Sequence, residues 1–309
     1  MEMDRDSFAE QVMSRVGNML GGGHDIRIHR AGKNNGVYRT GLQITGNGLD
    51  IAPVIYIDRY YGLYEKGEET IDSVAARVMD SYNRERSGGM MQVDMRKFLS
   101  YDRVRETIVY KLVSTGKNRE LLEDVPHVDF MDLSIIFQCL VSREGPEMAT
   151  ILVHNVHMKL WDVTTEELHA AAEENTRKLL PYEFKSMTEV LHEIMETEDP
   201  EQSGHSEFEA ELADNVPMYV LSNKNRVEGA ACMLYPGLIR DLADQFGKSL
   251  YIIPSSVHEL LLLPTKDTGE CAEIKRMIRE INDTQVSPEE ILSYSLYYYD
   301  REEGKTRML

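Results

Sequence analysis

The chain has 309 residues, with 34 Lys and Arg against 53 Asp and Glu, a formal charge of -19. A surface of that sign repels phosphate backbones and anionic membranes, so no nucleic acid and no membrane are expected as partners. No window approaches the roughly 20 apolar residues of a membrane helix, and the three cysteines, Cys139, Cys232 and Cys271, stand far apart in sequence and leave at least one unpaired, which fits a reducing cytoplasm better than a disulfide framework.

The charge is local. Residues 1–120 hold 18 basic and 17 acidic side chains, whereas residues 162–215 hold 16 acidic and 3 basic ones. Met1 to Gly21 is charged and amphipathic, unlike a signal peptide. Its Phe8, Val12 and Val16 spacing predicts a helix stopped by Gly21-Gly22-Gly23. Asp25–Arg30 and Val37–Ile44 alternate around Asn35-Gly36, where positive φ suits a tight turn, and so predict a β-hairpin. Pro53–Tyr64 and Thr70–Arg84 have helical spacing, and Ser87-Gly88-Gly89 reads as the exit from an α-β-β-α-α unit.

The middle is strand-rich, with Ile108–Val113, Asp132–Val141 and Thr150–Val153 separated by a loop over Asn118–Pro126. Thr164 followed by Glu167 is a capping box, and Leu168, Ala171 and Ala172 continue as a helix face. A short helix over Met187–Met195 precedes Glu198–Gly204, whose proline, glycine and like charge mark an exposed linker. Met218–Leu221 then starts the last section, and Gly229–Leu234 continues it toward Pro236. A helix follows over Leu238–Phe246, with strands at Leu250–Ile253 and Glu259–Leu263 and a helix over Cys271–Ile281. Ser287-Pro288-Glu289-Glu290 has the cap and first-turn proline of another helix, and Leu296–Leu309 alternates like a hairpin.

His154 and His157, with Asp162, have the residue types of a metal site, but the segment begins as a strand, where positions three apart face opposite sides. No metal and no cofactor are therefore expected, and no glycine loop cradles a phosphate. A sharper constellation is Ile253-Pro254-Ser255-Ser256-Val257-His258-Glu259, in a turn where polar side chains can leave a sheet. Cys232 or Ser256 as nucleophile with His258 as base would make a hydrolase or acyl transferase. Glu259, adjacent to His258, points away from it on a strand. The structural reading has Ser255 and Ser256 satisfying turn amides with His258 packed beside them. Ser255, Ser256, His258 and Glu259 also make a candidate ligand pocket without covalent chemistry. The Tyr294, Tyr297, Tyr298 and Tyr299 cluster reads as core or as a partner surface, and the acidic stretch as a solvated tether or a dock for a basic partner.

Val125-Pro126-His127-Val128 with Asp132-Leu133, Trp161-Asp162-Val163-Thr164 leading to Asn175-Thr176, and Leu250 through Glu259 together resemble a bacterial family catalogued as a domain of unknown function. The segment order is more distantly similar to a second conserved hypothetical bacterial family. The resemblance runs over nearly the whole chain and implies a soluble bacterial protein. It carries over no catalytic or binding residue.

These readings add up to an α+β protein of two or three small mixed domains, each with a short antiparallel or mixed sheet packed by helices. The expected boundaries are 1–90, 91–197, an acidic linker at 198–214, and 215–309. The expected function is a non-enzymatic binding or interaction module for a protein partner or small ligand, with the hydrolase or acyl transferase as the alternative.

Overall fold

The computed structural model describes residues 3–46, 54–87, 95–142, 148–197, 217–265 and 271–309. The linker expected at 198–214 and the Ser87-Gly88-Gly89 exit beyond Ser87 lie outside these. The chain is α+β, its three small sheets all antiparallel. It divides into two compact units, Met1–Val93 and Asp94–Leu309.

In the first unit, α1 (Arg5–Leu20) starts where the Asp4 carboxylate accepts from Ser7 N–H and ends at Gly21 with φ 72°. Phe8, Ala9, Val12 and Val16 are buried, as the spacing requires, while Met19 is exposed. Strands β1 (His24–Gly32) and β2 (Tyr38–Gly46) form the expected hairpin, and Asn35 and Gly36 take φ 61° and 69°. The helix expected from Pro53 is corrected: Val54–Tyr56 is a strand, β3, on the edge of β2, and the helix α2 begins only at Asp58 and runs to Glu65. Gly41 permits this, because an ideal Cβ there would lie 2.7 Å from the Ile55 carbonyl oxygen. Helix α3 (Ile71–Ser87) closes the core with Val74, Ala75, Val78 and Tyr82.

The second unit takes in both the middle and the C-terminal sections of the sequence. Helix α4 (Tyr101–Val104) leads into a four-stranded sheet around β6 (Leu133–Ser142). The strand β4 (Ile108–Ser114) lies on one side of β6, with β5 (His127–Phe130) and β7 (Ala149–Leu152) on the other. The loop expected at Asn118–Pro126 holds a short helix, α5 (Arg119–Asp124). Helix α6 (Asn155–Trp161) precedes α7 (Thr165–Leu179), which carries the full Thr164–Glu167 capping box and buries Leu168, Ala171 and Ala172. Next come β8 (Tyr182–Ser186), α8 (Met187–Thr197), β9 (Tyr219–Asn223), α9 (Leu238–Phe246), β10 (Ser249–Ile253), β11 (Leu260–Thr265), α10 (Cys271–Thr284), β12 (Tyr297–Asp300) and β13 (Lys305–Met308). The six strands among them form one sheet in the order β13-β12-β10-β11-β9-β8.

The central strands β10 and β12 are buried on both faces, which is why β10 reads as an unbroken apolar run from Leu250 to Ile253. Leu250, Ile252, Tyr297 and Tyr299 join the core shared with Tyr110 and Phe137 of the four-stranded sheet. Tyr251, Ile253 and Tyr298 face Ile274 and Ile278 of α10 on the other side. Tyr297, Tyr298 and Tyr299 are therefore core residues. The helix expected at Ser287 is corrected to a turn. Val257 N–H donates to Glu290 O (2.8 Å) and Ser293 N–H to Pro254 O (3.3 Å), so backbone groups that a helix needs are bonded to the 254–257 segment. Among the described residues no helix is long and apolar enough to cross a membrane.

Candidate functional site

The recognisable turn lies between β10 and β11, and its neighbour is the loop that leaves β9. Asn223 shapes that loop: its Oδ1 accepts from Asn225 N–H (3.0 Å) and its Nδ2 donates to Val227 O (2.7 Å). Arg226 and Glu228 both adopt left-handed φ, 52° and 55°, which is uncommon for these residue types. Gly229 then opens a buried 3-10 turn, Gly229–Leu234. Only glycine fits: a Cβ would collide with the Ser222 hydroxyl and lie 2.5 Å from His258 O and 2.7 Å from Asn223 N. Ser222 Oγ donates to His258 O (2.7 Å), and Ala230 N–H donates to Val257 O (3.2 Å). The loop and the turn are thus held together by backbone contact.

His258 faces the loop. Its Nδ1 accepts from Glu228 N–H (3.2 Å), which leaves Nε2 toward the Glu290 carboxylate at 3.7 Å. The Glu228 side chain turns into the four-stranded sheet, where Lys111 Nζ meets it at 2.7 Å and Gln138 Nε2 donates to its other oxygen. Ser256 is buried, and its Oγ accepts from His258 N–H (3.1 Å), which is the turn-capping role. Ser255 is half-buried beside it. Cys232 is fully buried in the core with Tyr235, and burial pushes its thiol up to about 12. Among the described residues no hydrogen bond joins the His258 ring to Cys232 or Ser256. A reactive cysteine needs the opposite setting, electropositive and accessible.

Glu259 points the other way. It lines a small, partly enclosed cavity of about 20 Å³ with Glu183, Lys185, Val190, Val220, Ser222 and Arg226. Four ions at its rim bond one another. Lys185 Nζ lies 3.0 Å from Glu183 and 2.6 Å from Glu193, and Arg226 lies 3.3 Å from Glu183 and 2.6 Å from Glu193. The Glu259 carboxylate has no hydrogen bond or ion pair among the described residues, and desolvation holds its carboxyl above the usual range, against the pull of His258 and Arg226.

The turn thus brings His258, Ser256 and Glu259 together and leaves Cys232 in the core. Sequence reading missed Glu183, Lys185, Glu193, Arg226 and Glu228. Lys185 and Glu183 lie on β8, a strand that the pattern did not reveal.

The histidine pair serves a helix end. His154 is the N-cap of α6, its backbone N–H donates to His157 Nδ1 (2.9 Å), and its own Nδ1 lies 2.6 Å from Asp124. His157 stacks on Trp161 with centroids 5.4 Å apart, and burial lowers its pKa. Placing this pair on a strand is corrected, since β7 ends at Leu152. Among the described residues no group of three or more His, Cys, Asp or Glu is placed to hold a metal ion.

The other familiar residues make structural bonds. Asp132 accepts from Ser293 (2.6 Å), Ser295 (2.9 Å) and Tyr297, tying the two sheets together. Asn175 Nδ2 donates to Arg105 O (2.7 Å), and Thr176 Oγ1 accepts from Tyr110 N–H (3.0 Å). A search of curated proteins and a search of solved structures each find no match. Residues 5–301 match a family of unknown function, DUF5688, and the chain belongs to that family.

Proposed function

We propose that the chain is a binding protein whose ligand site is the cavity over Glu259, and that Cys232, Ser256 and His258 are structural. The carrying observation is the contrast in bonding. The Ser256 hydroxyl and the His258 ring are committed to turn amides, whereas the half-buried Glu259 carboxylate has no hydrogen bond or ion pair among the described residues. A carboxylate left open at a cavity is a natural place for a ligand to supply the bond. The turn and the β9 loop hold this floor rigidly through Gly229 and Ser222. Cys139, Cys232 and Cys271 form no disulfide among the described residues, and Cys139 and Cys232 are buried, which supports the expectation of a reducing compartment.

The competing hydrolase or acyl transferase needs a nucleophile that reacts. Treating the native protein with an electrophilic thiol probe and, separately, a serine-directed phosphonate tests this. Half-buried Cys271 should label first, with Cys232 and Ser256 silent until unfolding. Labelling of Cys232 or Ser256 well ahead of Cys271, lost in His258→Ala, would establish the enzyme instead.

A further inference from the structure

Resting on that reading of the cavity as a ligand site, we propose that the ligand group seated on Glu259 is a primary alkylammonium, from a small amine or from a lysine side chain. The argument is an inventory of the cavity. Lys185 and Arg226 line it, but both cations are engaged by Glu183 and Glu193. That leaves Glu259 as a lining charge with no direct ion pair among the described residues, although the fields of His258 and Arg226 still reach it. An anionic ligand would bring a second negative charge against Glu259, and a neutral one would leave the carboxylate desolvated and unpaired. A cation removes both penalties.

The remaining lining narrows the choice among cations. Ser222 Oγ spends its proton on His258 O, so its lone pairs remain to accept from a ligand N–H. Val190 and Val220 offer an apolar wall for a short alkyl stem, as lysine stems use elsewhere. The enclosed space is about 20 Å³, room for one water-sized group and far too small for a nucleotide or a drug-sized ligand. Space for one water-sized group admits a compact, three-donor ammonium and not the larger planar guanidinium fork. Binding also has a pH signature. The carboxyl must ionise to pair with the amine, so affinity rises with pH across the range in which Glu259 titrates, and a proton is released.

The test is an amide NMR titration of the full chain with n-butylammonium, with a blocked Gly-Lys-Gly tripeptide, and with acetate as the anionic control. Saturable shifts at Val220, Ser222 and Arg226 are expected with at least one amine probe. They should be stronger at about pH 7 than at about pH 5, and at least about tenfold weaker in Glu259→Gln. Val190→Phe, which fills the cavity from α8, should abolish them even if Glu259→Gln unfolds the protein. Shifts with the tripeptide alone would assign the source to a lysine side chain, and shifts with butylammonium alone to a small amine. If acetate moves these amides and the amines do not, the cavity is a site but the ammonium assignment is overturned. If none of the three probes moves them, both the assignment and the site are overturned. Amine shifts unchanged in both variants would also overturn the assignment.

Discussion

His258 and Glu259 are adjacent in the chain and opposite in their surroundings. On the His258 side the polar groups bond one another: the ring accepts the Glu228 amide, Ser256 accepts the His258 amide, and Glu228 meets Lys111 and Gln138. On the Glu259 side four ions close on one another and the fifth is left over. The difference teaches that familiarity of a motif and availability for chemistry are separate properties. On the proposed reading the Ser-Ser-Val-His part of the turn is architecture, and the residue after it is the one with bonding capacity to spare.

If the His258 side is architecture, breaking it should cost stability in a definite order. Gly229→Ala should have the largest effect, about 2 to 4 kcal/mol, because the new methyl meets backbone on two sides. A shift of the urea midpoint by less than a fifth of that would mean that the loop and turn are loosely held. Lys111→Met should cost about 1 to 3 kcal/mol by leaving Glu228 half-paired. Adding Glu228→Gln should recover part of the loss, and strict additivity would deny the coupling. His258→Ala should cost about 1 kcal/mol, and His258→Asn less, since the Asn oxygen replaces Nδ1 as acceptor for the Glu228 amide. Equal losses in the two variants would show that the amide bond contributes nothing.

The smallest effect belongs to the other side and has the opposite sign. The Glu259 carboxyl is raised in the folded state, so the protonated form is favoured there. Its stabilising contribution is complete below the ordinary carboxylate range and is lost as pH rises through the folded value. Glu259→Gln cannot ionise, so it should match the parent in thermal stability at low pH and exceed it slightly near neutrality. A variant less stable than the parent near neutrality would mean that Glu259 has a partner in the free protein.

Much of the architecture was legible because it is local. Phe8, Val12 and Val16 fix one face of α1, Asn35-Gly36 fixes a hairpin turn, and Thr164 with Glu167 fixes a helix start. What failed was decided at a distance. Val54–Tyr56 is a strand because Gly41 lets it approach, and Pro288 fails to start a helix because Glu290 and Ser293 bond to the 254–257 segment. The site divides the same way. Ser256, His258 and Glu259 stood out as a run, but Lys185 and Arg226 reach the cavity from a strand and a loop far from it in sequence. Neither Arg226 nor Glu228 is a residue type that announces left-handed backbone.

The most direct measurement is a carboxyl-carbon NMR titration of Glu259 in the full chain, alone and with n-butylammonium. A midpoint above that of an ordinary glutamate in the free protein, falling when the amine is added, is the predicted result. An ordinary midpoint that the amine does not move would contradict the view of Glu259 as the open side of the turn.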